Sequence, residues 1–182
     1  MFVTDDYVLY TAPKCGSSSL VQHLRSRGIK TASHLVHDVH WSNTFSGKRI
    51  IVTVRHPRQR LLSMWKHLLR EIGNDKNGFE RFAFQTQHPD YYNFYKKTLC
   101  DWYRPILPYV THVIRVETFQ DDCDRLLGVG KLPHHNKTNH PTWDEELKKN
   151  ESIASWVESW GSEDIGLFYP GQWATTKWTW TD

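Results

Sequence analysis

Apolar residues follow two rhythms along the 182 positions of this chain. Ile50-Ile51-Val52-Thr53-Val54 is an unbroken, β-branched run, which marks a strand covered on both faces, as in a parallel sheet. Tyr7-Val8-Leu9-Tyr10 is a shorter β-rich run that gives way to Pro13, and His112-Val113-Ile114-Arg115-Val116 reads as a third strand. Elsewhere the period is helical. Ser17 to Arg27 sets Leu20, Val21 and Leu24 on one face and is closed by Gly28. Pro57 suits the first turn of a helix, and from Arg58 onward Leu61, Leu62, Trp65, Leu68, Leu69 and Ile72 recur at helical spacing. Phe119 to Leu127 predicts another helix. Glu145 to Trp160 predicts a last one, amphipathic, with Leu147, Ile153, Trp156, Val157 and Trp160 as buried positions. Gly73 to Pro108 is aromatic and polar by turns and predicts short helices and loops, while Leu132 to Thr142 predicts a loop rich in Pro and His.

Strands alternating with helices around a core-type central strand predict an α/β fold with a mostly parallel sheet. Ligands of such folds bind beyond the carboxyl ends of the strands. The length fits one domain over residues 1–182.

Composition narrows the classes. Hydrophobic residues at 38% and charged residues at 24% suit a soluble globular protein. Nine Trp, eight Tyr and eight Phe suit either a bulky core or an aromatic-lined acceptor cleft. The net charge of +3 is spread along the chain, which favours one small anionic ligand and argues against nucleic acid as a partner. Three cysteines, Cys15, Cys100 and Cys123, make neither a disulfide framework nor a zinc spacing. The acidic start, Met1 to Asp6, is no signal peptide, and no apolar run approaches the ~20 residues of a membrane span. The expectation is a cytoplasmic or otherwise soluble protein without membrane insertion, or a catalytic domain taken from something larger. Asn136-Lys137-Thr138 and Asn150-Glu151-Ser152 then read as chance glycosylation sequons.

Two segments carry chemistry, each directly after a strand. Thr11-Ala12-Pro13-Lys14-Cys15-Gly16-Ser17-Ser18-Ser19 feeds a helix N-terminus, where unpaired N–H groups and the dipole favour an anion. Gly16 permits close backbone approach, the serines add hydroxyls and Lys14 adds a full charge. The same residues also suit an ordinary helix start with a serine N-cap. They are not a Walker A loop, since the lysine precedes the glycine. The second segment, Arg55-His56-Pro57-Arg58-Gln59-Arg60-Leu61-Leu62-Ser63, offers an arginine fork and a hydroxyl to one phosphate; its plain alternative is a surface arginine and a helix serine.

Lys-x-Gly-Ser-x-Ser followed by Arg-x-Pro-x-x-Arg-x-x-Ser resembles the sulfotransferases that use 3′-phosphoadenosine 5′-phosphosulfate (PAPS). A third block, Ile114-Arg115-Val116-Glu117-Thr118-Phe119 with Asp122 and then Leu132-Pro133-His134-His135-Asn136-Lys137-Thr138, is similar to elements of the Golgi-type carbohydrate sulfotransferases and their bacterial or viral relatives. Glu163 to Tyr169 resembles the acidic-aromatic close of those domains. The resemblance implies a P-loop-like three-layer fold and sulfuryl transfer from PAPS to a hydroxyl, that of a carbohydrate, leaving 3′-phosphoadenosine 5′-phosphate (PAP). It implies that Lys14, Gly16, Ser17, Ser18 and Ser19, with Cys15 in a variable slot, hold the 5′-phosphosulfate, and that Arg55 and Ser63 hold the 3′-phosphate. Lys14 would further stabilise charge on the bridging oxygen. No metal is implied, and His134, His135 and His140 read as a polar loop. The base is a histidine ahead of the clamp arginine: His34 first, then His37 and His40, suited by an ordinary pKa of ~6.5. The aromatic 73–108 stretch is the expected acceptor side. A P-loop-like nucleotide kinase and a non-catalytic PAP- or glycan-binding module are the rival readings.

Overall fold

A computed structural model describes residues 1–29, 37, 39–72, 97–132 and 151–170. Four strands form one sheet in chain order: β1 (Phe2–Val3), β2 (Tyr7–Thr11), β3 (Arg49–Val54) and β4 (His112–Arg115). β2, β3 and β4 run parallel, and β1 pairs antiparallel with β2 through Phe2 opposite Leu9. The helices are α1 (Ser17–Ser26), α2 (Pro57–Ile72), α3 (Leu99–Tyr103), α4 (Phe119–Leu127), α5 (Glu151–Trp160) and α6 (Ser162–Phe168). The α/β class and the mostly parallel sheet expected from the apolar rhythm are thus present.

The period of two in the strands divides the core into two halves. Val8, Tyr10, Ile50, Val52 and Val54 face Leu99, Cys100 and Tyr103 of α3 and Ile165 and Phe168 of α6. Tyr7, Leu9, Ile51 and Ile114 face Leu20, Val21 and Leu24 of α1 and Cys123 and Leu126 of α4. Helices therefore cover both faces, which is why β3 tolerates no polar side chain except Thr53 beyond its first residue. Gly28, at φ 77°, ends α1 as expected, and its neighbour Ile29 donates back to the Leu24 carbonyl at 3.0 Å. Two elements were not expected. β1 precedes the Asp5–Asp6 turn, and α6 occupies the acidic-aromatic close. The three cysteines are free and buried. Among the described residues no helix is long and apolar enough to cross a membrane.

Several expectations lie outside the described residues: the 73–96 part of the aromatic stretch, the loop from Pro133 with the Asn136-Lys137-Thr138 element and its three histidines, and the 145–150 start of the last helix.

Candidate functional site

Strand register sets the site. Thr11 pairs with Thr53, and Val54 with Arg115, so β2, β3 and β4 end at one level. The turns that follow them, 12–16, 55–56 and 116–118, open side by side. In the first turn Cys15 N–H donates to the Ala12 carbonyl at 3.3 Å. Lys14 is left-handed at φ 66°, the only non-glycine residue with positive φ among those described. Gly16 follows at φ 75°, and a Cβ there would lie 2.8 Å from the Phe119 ring, so a side chain would be strained by the backbone and would have to displace that ring. α1 starts from Gly16 as its N-cap with no side-chain cap bond. The serine N-cap reading is therefore corrected: Ser17, Ser18 and Ser19 fill the first turn instead. The N–H groups of residues 16–19 make no backbone hydrogen bond among the described residues, which leaves them facing the open end of the helix.

Four successive backbone groups leading into this turn are each held by a side chain from elsewhere. The Thr11 carbonyl is met by His37 Nδ1 at 2.8 Å. Ala12 N–H donates to Tyr103 Oη at 2.7 Å, and that hydroxyl donates in turn to the Thr53 carbonyl at 2.6 Å. Arg60 Nε donates to the Pro13 carbonyl at 3.2 Å, and Arg55 Nη1 to the Lys14 carbonyl at 3.4 Å. Left-handed backbone at a residue with a Cβ persists where the surroundings over-determine it, and here they do.

The structure brings the two sequence segments together. Arg55 leaves the end of β3 beneath the Lys14 turn, with its pKa lowered by burial and held up by nearby Glu117. Arg60 is fully buried on the inner face of α2 with Pro57, Leu61 and Met64. Neither arginine is the surface residue of the plain alternative. Arg55 Nε and Arg60 Nη2 are buried donors without a partner among the described residues. Ser63 is half-buried in the second turn of α2. Cys15, in the variable slot of the cradle, has a buried thiol that contacts the Pro13 carbonyl at 3.7 Å and is pushed up to about 12 by burial, so its backbone is the part open to an anion.

Of the candidate bases, His34 lies outside the described residues. His37 stands beside the turn. A carbonyl can only accept, so Nδ1 carries the proton in its bond to Thr11, and the neutral ring keeps its lone pair on Nε2. Burial lowers the His37 pKa, the Thr11 bond opposes this, and Arg60 and Lys14 add to the lowering. His40 has its ring 6.2 Å from Phe45, and its carbonyl accepts from Tyr10 Oη at 2.5 Å.

The third segment supplies the frame. Glu117 Oε1 accepts His56 N–H at 2.8 Å and Oε2 accepts Tyr169 Oη–H at 3.0 Å. Arg115 Nε and Nη2 donate to the Phe168 carbonyl at 3.1 and 2.9 Å. Glu117, Tyr103, Tyr169 and Arg60 are the site residues to which sequence reasoning gave no role. Arg60, Glu117 and Tyr169 each left a signal, as members of the blocks that carry the resemblance, while Tyr103 stood only as one aromatic of the 73–108 stretch.

His56, 5% exposed and edge-on to Tyr169, has its pKa lowered to about 4 by burial and then by Arg58. The unfolded chain binds this proton from pH ~6.5 downward and the folded one only near 4, so acid favours unfolding within that window. Urea titrations at pH 7 and 4.5 are expected to show wild type losing about 2 kcal/mol more than His56→Gln between the two conditions.

Among the described residues no group of three or more His, Cys, Asp or Glu is placed to hold a metal ion. Comparison of the chain with protein-family models, with curated proteins and with solved structures returns no match.

Proposed function

We propose that the chain is a sulfotransferase of P-loop-like fold that takes the sulfuryl group of PAPS to a carbohydrate hydroxyl. One observation carries the reading: the Lys14 turn and Arg55, distant in sequence, meet at the carboxyl end of adjacent parallel strands, with Arg55 Nη1 3.4 Å from the Lys14 carbonyl. Two anion-gripping segments at one sheet end suit a nucleotide phosphorylated at both termini. The open N–H groups of residues 16–19 and the spare Nε donor of Arg55 fit such a ligand.

PAPS supplies the sulfuryl group and a phosphate leaving group. Residues 16–19 hold the 5′ end and Arg55 with Ser63 the 3′ end. Lys14 sits where negative charge grows on the leaving oxygen, and a cation fixed there needs no reorganisation. His37, neutral at pH 7 and oriented by Thr11, takes the acceptor hydroxyl's proton on Nε2.

The deciding experiment compares PAP, ADP and Mg-ATP by thermal shift. PAP at 100 times its Kd is expected to add about 2.7 kcal/mol of stability, a rise of roughly 5–10 °C for a chain of this length. A larger shift with Mg-ATP would replace this reading with a nucleotide kinase. PAP binding without transfer to any of a panel of glycans would leave a binding module.

A further inference from the structure

Arg60 is a fully buried cation whose hydrogen bonds go to two backbone carbonyls from separate segments. Nε donates to Pro13 in the turn, and Nη1 donates to Lys97 at 2.7 Å, just ahead of α3. Among the described residues no carboxylate lies within ion-pairing distance of it; buried Asp164 acts on it only at longer range. Its guanidinium also lies over the Trp160 ring, 5.9 Å from the centroid. A buried charge is costly to keep, so its retention calls for a role that an apolar side chain could not fill.

The connections form a closed circuit. From the turn, Arg60 leads to Lys97, and the Thr98 capping box fixes the start of α3. Trp102 of α3 stands edge-on to His37 at 6.4 Å, and His37 returns to the Thr11 carbonyl. Tyr103, one residue on, joins α3 to Ala12 directly.

We infer that Arg60 is a positioning residue, which locks the Pro13–Lys14 turn to the Lys97–Tyr103 segment so that the anion cradle and the wall beside His37 move as one body. Its mechanical part stands on the contacts alone. Its catalytic consequence rests on the sulfotransferase reading, because a cradle and a base that drift apart lose in-line alignment.

The test uses the whole chain carrying Arg60→Met or Arg60→Lys. In hydrogen exchange, Arg60→Met is expected to speed the hydrogen-bonded amides around the turn (Ala12, Cys15 and Leu20) and those of 98–103 together, by about tenfold or more, with the β2–β3 ladder unchanged. Arg60→Lys, which can reach one carbonyl only, is expected to loosen one segment and spare the other. In a PAPS-dependent assay Arg60→Met is expected to lower kcat by about 100-fold while KM for PAPS stays within about threefold. Exchange that rises uniformly along the chain, or in neither segment, overturns the inference. So does an effect on KM alone, which would make Arg60 a grip on the nucleotide. If Arg60→Met does not fold, the one-segment pattern of Arg60→Lys decides. If wild type transfers no sulfuryl group, the proposed function falls and exchange alone judges Arg60.

Discussion

Lys14→Ala is expected to lower kcat/KM by about 10²–10³-fold, with most of the loss in kcat. The reason lies in the turn. Lys14 is held left-handed by a carbonyl bond from Arg55 and by neighbours bound to Arg60 and Tyr103. On the sulfotransferase reading its charge acts on the developing oxyanion and adds little to ground-state binding. Alanine in place of lysine leaves those backbone bonds intact, so PAP should still raise the melting temperature. Arg55→Ala should behave differently. It removes a grip on the turn and the cation facing Glu117, so its main effect should be a higher KM for PAPS. His37→Ala should keep PAP binding and lose turnover. Steady-state kinetics on the three variants separate these roles, and full activity in both Lys14→Ala and Arg55→Ala would dismiss the site.

Asp164→Ala should produce the largest loss of stability. Asp164 is fully buried, and its two carboxylate oxygens accept the N–H groups of Leu99 and Cys100, each at 2.8 Å. Burial raises its pKa and those two bonds pull the other way. α6 thereby caps the start of α3, a five-residue helix that cannot hold itself together. Truncation to alanine strands two buried donors at about 1–3 kcal/mol each, roughly 3 kcal/mol in all. The melting temperature should fall by roughly 6–12 °C. Asp164→Asn retains one acceptor and should fall between. Urea unfolding with an unchanged m-value would assign the loss to the native state. A change under about 0.5 kcal/mol, the range of an ordinary surface substitution, would show that the cap carries no weight.

How far the chain could be read depended on how local the deciding force was. β3 announced itself because a strand buried on both faces needs apolar residues in sequence, and α1 because Leu20, Val21 and Leu24 mark one helical face. The glycine turn was visible because Gly16 answers a backbone demand. β1 was hidden: Phe2–Val3 is too short to show a period and is stabilised by pairing with Val8 and Leu9 across a turn. α6 was hidden by Gly166, a poor helix former whose cost is met by packing of Ile165 and Phe168 on the sheet. The order that put His37 ahead of His40 had no local basis, since the two sit three residues apart and only tertiary placement brings His37 Nδ1 to the Thr11 carbonyl and sets the His40 ring 6.2 Å from Phe45. Arg60 was visible only as a member of the Arg-x-Pro-x-x-Arg-x-x-Ser pattern, because an isolated sequence does not reveal two carbonyls waiting for it.

The hold of Arg115 and Glu117 on Phe168 and Tyr169 carries a consequence for synthesis. A ribosome releases the Lys14 turn and the Arg55 corner long before it releases residue 169. Until then the Asp164 cap and the Tyr169 hydroxyl are missing, so the emerging polypeptide holds a half-built pocket with its wall undocked. On the sulfotransferase reading, competence to grip a nucleotide should therefore arrive late and abruptly during translation, when the last of these residues clears the exit tunnel.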